Sequence, residues 1–254
     1  SDNSADLGEQ YTLDLLSRFQ LNNEELFEVF DYCKDKGKTP LCTPWDLDSL
    51  SALENYGMQA YKVASADLTN LELLEAIART EKTMICSTGM STEVEIKQAV
   101  DFLQNINAQY ILLHCNSTYP TPNRDVNLRY LEKLSLIDQG RVIGYSGHER
   151  GYIAPTLAVA LGAKVVEKHF TIDKNMEGSD HKVSLLPSEF RAMVDQIRLT
   201  EEMLGKGGER VVSQGEYLNR EVLAKSLVIN QNLLSGDVIT RDMIDIKSPG
   251  QGLQ

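Results

Sequence analysis

Two histidines are the residues of this chain best placed to do chemistry together. His148 and His169 each follow a short run rich in β-branched residues, which is typical of a buried strand. A side chain just beyond the carboxyl end of a parallel strand lies where barrel enzymes carry out their reactions. Two imidazoles on consecutive strands can share one divalent metal ion, although a structural histidine is the more frequent case.

Polar residues also follow nearly all of the remaining predicted strands. They offer hydroxyl donors and one positive charge, which suit a phosphate or carboxylate where helix N-termini face the same rim. Taken singly, a Ser or Thr after a strand usually caps the next helix, and a Lys within a strand usually extends to solvent. Their joint occurrence favours an anion site. The candidates are Lys62, Ser65, Ser87, Thr88 and Ser146.

The loop that follows His169 contains an acidic residue, Asp180, that could contribute to the same site. Loops after the last strands of a barrel often complete its active site. A carboxylate there could hydrogen-bond sugar hydroxyls or act as a base, and the alternative is a solvated loop with an Asx turn.

Short β-rich runs alternate with amphipathic helical runs from residue 24 to residue 204, which predicts a parallel sheet with helical crossovers. Six βα units are visible, whereas a closed (β/α)8 TIM barrel needs eight, so we expect the first two strands to be missing. A flavodoxin-like open sheet is the structural alternative. The predicted strands are 39–42, 60–64, 83–86, 110–114, 142–145 and 164–168, and the predicted helices are 24–36, 46–56, 70–79, 91–105, 126–138, 151–161 and 187–204.

The character of the chain changes after Leu204, where Gly205-Lys-Gly-Gly208 is a flexible break. Further β-rich runs follow at 223–230 and 238–247. We therefore expect a barrel-type domain at 1–210 that is incomplete at its N-terminus. Residues 211–254 are expected to form a linker and the beginning of a small β-rich domain.

Composition excludes several classes of protein. Lys and Arg number 25 against 37 Asp and Glu, and a net charge of −12 argues against nucleic-acid binding. No apolar run approaches the ~18–20 residues of a membrane span, and the first residues lack the layout of a signal peptide. The four cysteines form no CxxC pair, which favours a reducing, cytoplasmic compartment without disulfides.

Five motifs occur in order and at natural spacing. They are Tyr61-Lys-Val-Ala-Ser65, Cys86-Ser-Thr-Gly-Met90, His114-Cys-Asn-Ser-Thr-Tyr-Pro-Thr-Pro122, Gly144-Tyr-Ser-Gly-His148 and Glu167-Lys-His-Phe170. Together they resemble the sialic acid synthase family, which includes N-acetylneuraminate, legionaminate and pseudaminate synthases. The resemblance covers roughly residues 24–250. It implies a (β/α)8 barrel followed by an antifreeze-like (SAF) domain, of which 221–250 would be the beginning.

The resemblance implies that phosphoenolpyruvate is condensed with an N-acetylated hexosamine aldehyde and that phosphate is released. His148 and His169 would bind Mn²⁺ or Mg²⁺, and these two residues with Lys62 and Asp180 would carry the catalysis. A metal with open coordination positions would polarise the aldehyde, and imidazoles with substrate oxygens suit Mn²⁺ better than a closed zinc site. A homodimer is also implied. Phosphoenolpyruvate would contact Lys62, Ser65, Ser87, Ser146 and Thr43, and the sugar would contact Ser117, Tyr119 and Asp180.

The chain departs from the family pattern at several positions. The N-terminal strands that carry a Glu near the sugar are expected to be absent. Ser248 stands where many members have an Arg that could touch the acyl group of the sugar. Gly147 replaces the Asp of the commoner Ser-Asp-His, and Asp67 stands where Glu is frequent. The last two differences could change the choice of sugar.

Two other functions compete with this interpretation. A 3-deoxy-ulosonate synthase acting on a phosphorylated sugar would need more Arg or Lys at the rim, where only Arg124 and Arg150 are near. A non-catalytic barrel used for binding or assembly would account for missing strands but not for a polar residue at every strand end. Phosphate release from phosphoenolpyruvate separates an enzyme from a binding protein.

Overall fold

A computed structural model describes residues 17–178 and 180–253 of the chain. The contacts divide the chain into two compact units, Ser1–Leu204 and Gly205–Gln254. The division falls at the first residue of the glycine-rich run. The described residues of the first unit form a five-stranded sheet, and those of the second form a two-stranded sheet.

The sheet of the first unit is entirely parallel. Its strands are β1 (Ala60–Val63), β2 (Thr83–Ser87), β3 (Tyr110–Cys115), β4 (Ile143–Gly147) and β5 (Val165–Lys168). They pair in the order β1-β2-β3-β4-β5 without reversal. Sequential order is the order of a (β/α)8 barrel, whereas a flavodoxin-like sheet changes its winding at a switch point. The described strands therefore favour the barrel.

Within residues 17–59, one residue pairs with the sheet. Cys42 forms an isolated parallel bridge with Tyr61, and its carbonyl accepts a hydrogen bond from the Lys62 amide at 3.0 Å. The strand expected at 39–42 is therefore reduced to a bridge. Pro40 has no amide hydrogen to donate, which disfavours a continuous ladder through this segment.

Helices occupy the connections between the strands. They are α1 (Asn23–Asp35), α2 (Leu47–Tyr56), α3 (Leu71–Ala78), α4 (Glu93–Asn105), α5 (Tyr130–Ile137), α6 (Ile153–Ala160) and α7 (Pro187–Leu204). All seven predicted helices are confirmed, but the helix expected at 126–138 begins only at Tyr130. Asn127 has a φ of 46°, a left-handed conformation that an α-helix cannot include.

Local signals at the helix ends act as the residue types predict. The hydroxyl of Thr92 accepts a hydrogen bond from the Glu95 amide, and the Glu95 carboxylate accepts one from the Thr92 amide. This reciprocal pair is a capping box, which fixes the start of α4. Gly57 ends α2 with a φ of 86°, which glycine adopts without a steric penalty.

A hydrophobic core lies between the sheet and its helices. Met84 and Leu112 of the strands and Ile77, Leu103 and Leu131 of the helices are fully buried. Each such side chain contributes about 1.5–3 kcal/mol when it leaves water. This packing holds the parallel strands in register, so the residues at their carboxyl ends share one rim.

The second unit consists of α8 (Gln214–Leu223) and the antiparallel pair β6 (Ser226–Ile229) and β7 (Ile244–Lys247). Ser213 caps α8 through a capping box with Glu216. Among the described helices of the whole chain, none is long and apolar enough to cross a membrane. The four cysteines all lie in the described residues and are free thiols.

Candidate active site

A cavity of about 540 Å³ lies at the carboxyl ends of β1 to β5. Thr88 is the one predicted site residue outside this lining, because its buried hydroxyl donates to the Leu113 carbonyl at 3.0 Å. The lining brings together the other site residues that the sequence predicts. These residues are Thr43, Lys62, Ser65, Ser87, Ser117, Tyr119, Ser146, His148, His169 and Asp180. The other lining residues are Trp45, Ala64, Ala66, Met90, Glu167 and Lys168.

His148 is held by a backbone contact that defines its free nitrogen. Its Nδ1 lies 2.7 Å from the carbonyl oxygen of Asn116, so Nδ1 carries the proton and donates it. The lone pair on Nε2 is then available to a metal ion, as is usual for metal-binding histidines. The side chain is buried, with 6% exposure.

The two histidine rings lie next to each other. Their centroids are 5.1 Å apart, and their planes make an angle of 63°. Imidazole nitrogens bind metal ions at roughly 2 Å, so rings at this separation are close enough to share one ion. The ring of Tyr119 lies 4.1 Å from that of His148 and 5.7 Å from that of His169, centroid to centroid.

His169 lies beside Asp180 in the cavity lining. Its Nδ1 lies 3.8 Å from Oδ2 of Asp180. Burial lowers the pKa of His169, the Asp180 carboxylate opposes this effect, and the neighbouring His148 lowers the pKa further. The net pKa is lowered, which favours the neutral imidazole that a metal ion requires.

The donor chemistry of the pair fits a catalytic rather than a structural metal site. Within residues 17–178 and 180–253, no group of three or more His, Cys, Asp or Glu side chains is arranged to hold a metal. Two imidazoles supply only part of a coordination shell. The remaining positions would be open to water or substrate oxygens, which a catalytic metal needs.

Lys62 provides the positive charge expected for an anion. Its Nζ donates to the Ser87 hydroxyl and to the Val63 carbonyl, each at 2.8 Å, and lies 3.6 Å from Oε2 of Glu167. The side chain is only 13% exposed. The ammonium group therefore stays at the cavity instead of extending to bulk solvent.

Glu167 also lines the cavity, although it is not among the site residues that the sequence predicts. Its Oε2 accepts a 2.6 Å hydrogen bond from the Ser146 hydroxyl and faces Lys62. Residues two apart on a strand point to the same face. The position of Glu167, two residues before His169, was therefore a signal that could have identified it.

A second cluster surrounds the thiol of Cys115. Its Sγ lies 3.6 Å from Nδ1 of His148 and 3.6 Å from the Ser65 hydroxyl. Burial lowers the pKa of His148, but the contacts with Cys115 and with the Asn116 carbonyl raise it by more. Gly89 leaves room for this cluster, because a Cβ there would lie 2.8 Å from Ser65 Oγ and 3.1 Å from Cys115 Sγ.

Tyr119 and Ser117 line the cavity on the side of the loop after β3. Burial raises the pKa of Tyr119 to about 12, and the charges of Cys115, Asp180 and Glu167 contribute to the increase. The phenol is therefore a neutral hydrogen-bond donor at physiological pH. Neither Arg124 nor Arg150 is among the cavity's described lining residues, nor is Asp67.

Comparisons with known proteins identify the family of the chain. Residues 1–209 match the NeuB family. The chain belongs to the NeuB family. It is 37% identical over 245 residues to the N,N'-diacetyllegionaminic acid synthase of Campylobacter jejuni, covering 95% of this chain and 72% of that protein. It is 33% identical over 228 residues to the human N-acetylneuraminate-9-phosphate synthase, covering 90% and 63% respectively.

The fold is shared with solved structures of a sialic acid synthetase and of a spore coat polysaccharide biosynthesis protein. The N-acetylneuraminic acid synthetase of Leptospira borgpetersenii superposes with a TM-score of 0.77 at 32% identity, covering 83% of this chain and 74% of that one. The B. subtilis spore coat polysaccharide protein SpsE gives 0.70 at 32% identity, covering 96% and 72%. The parallel sheet thus corresponds to part of the (β/α)8 barrel of a sialic acid synthase, which confirms the predicted family and fold class.

Proposed function

We propose that this NeuB-family chain condenses phosphoenolpyruvate with an N-acyl hexosamine aldehyde to give a nonulosonic acid and phosphate. The observation that carries the proposal is the convergence of His148, His169 and Lys62 on one cavity at the strand ends. The named synthases among the relatives support the product class.

The reaction balances with water as the third reactant. Carbon 3 of phosphoenolpyruvate forms a bond to the aldehyde carbon, and the aldehyde oxygen takes up a proton. A water oxygen bonds to carbon 2 and becomes the ketone oxygen as the bond between carbon 2 and the phosphate oxygen breaks. Of the two protons that this water loses, one balances the proton on the new hydroxyl and the other leaves with the phosphate. Binding both substrates in a reactive orientation can lower the barrier by ~7–11 kcal/mol, because their translational and rotational entropy is lost on binding and not in the chemical step.

Lys62 and the surrounding hydroxyls bind phosphoenolpyruvate in this proposal. The ammonium group of Lys62 offers the charge, and its two present acceptors leave it one further hydrogen to donate to an anion. Ser65, Ser87, Ser146 and Thr43 add hydroxyl donors from adjacent strand ends. Oε2 of Glu167 lies beside Lys62 and Ser146, where it can accept a proton from the attacking water.

The histidines and the loop residues serve the aldehyde and its sugar. A Mn²⁺ or Mg²⁺ ion bound by His148 and His169 would act as a Lewis acid on the aldehyde oxygen. Ser117, Tyr119 and Asp180 line the adjacent part of the cavity and would hydrogen-bond the sugar hydroxyls. The described lining contains no arginine, which favours a sugar without a second phosphate.

The finer organisation of the protein is part of the same proposal. Residues 211–254 would be the beginning of an SAF domain, following a barrel domain at 1–210. The protein would be a cytoplasmic homodimer in which the SAF domain covers the site of the partner. Gel filtration with light scattering tests the dimer directly.

The test of the proposal is phosphate release from phosphoenolpyruvate. Purified protein is assayed with Mn²⁺ and either N-acetylmannosamine or a diacetamido-hexose, with and without EDTA. We expect phosphate release that needs both the sugar and the metal. His148→Ala and His169→Ala should each lower kcat at least ~100-fold, because Lewis-acid stabilisation is worth several kcal/mol.

A matched control is available in His181, which bonds the Thr171 hydroxyl at 2.8 Å and is not among the cavity's described lining residues. His181→Ala should still bind Mn²⁺. Sugar-independent phosphate release, or full activity in His169→Ala, would refute the proposal.

A further inference from the structure

A buried ion pair joins the residues that adjoin the two histidines. Glu149 follows His148, and Lys168 precedes His169. Nζ of Lys168 donates to Oε1 of Glu149 at 2.9 Å and also to the main-chain carbonyl of Glu149. The side chains of Lys168 and Glu149 are 0% and 3% exposed. Buried pairs of this kind are expensive to desolvate, and an apolar pair of similar size is often at least as stable.

Both oxygens of the Glu149 carboxylate are engaged. Oε2 accepts a 2.6 Å hydrogen bond from the hydroxyl of Tyr145. A Cβ at position 147 would lie 2.7 Å from Oε2 and 2.9 Å from Oε1, so the carboxylate occupies space that exists because residue 147 is glycine. The Glu149 side chain therefore has a single well-defined position.

The ion pair lies where the backbone ladder between β4 and β5 ends. The last paired residues of these strands are Gly147 and Lys168. His148 and His169 are the next residues along each strand, beyond the last register pair. The contact from Lys168 to the carbonyl and carboxylate of Glu149 ties the two chain segments together at this point.

We infer that Glu149 and Lys168 are positioning residues that set the separation of His148 and His169 for metal binding. The inference rests on the proposed metal-dependent function. Neither residue is a ligand: the pair restrains the main chain one residue from each imidazole. The side-chain contacts thus take the place of the ladder hydrogen bonds that would otherwise hold the strand ends.

The chain contains a matched network that serves as a control. Glu54 accepts hydrogen bonds from the Tyr61 hydroxyl and from Nζ of Lys82, the latter at 2.5 Å. The chemistry is the same Tyr, Glu and Lys combination, but Glu54 and Lys82 are 34% and 25% exposed and neither adjoins a histidine in the sequence. Glu54→Gln should leave the affinity for Mn²⁺ within about twofold of the parent value.

The experiment measures Mn²⁺ affinity separately from catalysis. The concentration of free Mn²⁺ is measured by electron paramagnetic resonance in titrations of the parent protein and of four variants. The variants are Glu149→Gln, Tyr145→Phe, Glu54→Gln and His169→Ala. Circular dichroism tests whether each variant is folded. We expect Glu149→Gln to raise the Mn²⁺ dissociation constant at least ~10-fold, the range typical for residues that orient metal ligands. Excess Mn²⁺ should restore most of kcat with little change in KM for phosphoenolpyruvate, which a loss of folded protein would not allow.

Several outcomes would overturn the inference. A folded Glu149→Gln protein with parental Mn²⁺ affinity contradicts it, as does an equal loss of affinity in Glu54→Gln. Should Glu149→Gln not fold, Tyr145→Phe removes only the hydroxyl donor, and a raised dissociation constant supports the inference whereas an unchanged one refutes it. Parent protein whose Mn²⁺ binding is absent or unaffected by His169→Ala refutes the proposed function itself, and the inference with it.

Discussion

Two consecutive residues of β5 form ion pairs that differ in burial and in distance. The Glu167 side chain is 41% exposed, and its Oε2 lies 3.6 Å from Nζ of Lys62. The Lys168 ammonium is fully buried, bonds Glu149 at 2.9 Å, and makes a second contact with the main chain. The first contact is loose enough to rearrange around a substrate, whereas the second holds its partners in one arrangement. Of two adjacent strand residues, one can thus face the substrate cavity while the other holds the main chain in place.

Removing the lysine of each pair should have a different effect on the free energy of unfolding. Burial lowers the pKa of Lys168, and the Glu149 carboxylate opposes this effect. If Lys168 were removed, the Glu149 carboxylate would remain buried without a charged partner, because its side chain is only 3% exposed. Glu167 would remain partly hydrated if Lys62 were removed. A variant of Lys168 should therefore affect stability, and a variant of Lys62 should affect substrate binding.

The largest effect is expected from Lys168→Met. Removing one partner of a buried ion pair typically costs ~3–5 kcal/mol in the free energy of unfolding. Lys82→Met removes the partner of the more exposed Glu54 and should cost at most ~1 kcal/mol. Urea unfolding followed by circular dichroism compares the two variants. Equal losses would contradict the distinction between a buried pair and a partly exposed one.

Lys62→Met should show the opposite profile. A hydrogen bond to a charged group contributes ~1.5–3 kcal/mol, so the KM for phosphoenolpyruvate should rise roughly 10- to 100-fold. The urea midpoint should change little, because Glu167 is partly exposed and can be hydrated. Steady-state kinetics and unfolding of the same preparation check both halves of the prediction. A large loss of stability with unchanged KM would make Lys62 a structural residue.

The smallest effect concerns a buried carboxylate without a lysine partner. Asp138 is fully buried, accepts a 2.6 Å hydrogen bond from the Tyr110 hydroxyl, and has no partner for Oδ2. Burial raises its pKa, which the Tyr110 hydrogen bond and the charge of Arg141 oppose. The folded state therefore loses stability as the pH rises from the unfolded pKa, near 3.9, through the raised folded pKa.

Asp138→Asn removes this penalty. The variant should be more stable than the parent protein at pH 7, and the difference should vanish below about pH 3.5, where both states of the parent are protonated. Urea midpoints from pH 3 to pH 7 measure the effect. A constant difference across that range would show that the charge of Asp138 is not its cause.

Much of the fold could be predicted because its signals are local. The β-branched runs placed five strands to within one or two residues of their observed ends. The two elements that differ from expectation also have local reasons. Pro40 disfavours a continuous hydrogen-bond ladder at 39–42, and the left-handed conformation of Asn127 makes α5 begin later than expected. The conformation of Asn127 depends on tertiary contacts that the sequence does not show.

The site residues could be predicted for a different reason. Parallel strands carry their carboxyl ends to one edge, so His148, His169 and Lys62 had to lie at a common rim once the β/α alternation was recognised. Glu167 lies on that rim as well and could have been found from its spacing to His169. The contacts of Glu149 could not, because no periodicity relates it to Lys168 and Tyr145.

The sequence by itself therefore determined the family, the order of the elements and the set of residues that share the rim. Only the tertiary structure decided that the histidine rings are 5.1 Å apart, that Glu167 faces Lys62, and that Lys168 is bonded to Glu149. Propensity and alternation act over a few residues along the chain. Distances between side chains from different strands depend on how the helices and the sheet pack, which is a property of the whole folded unit.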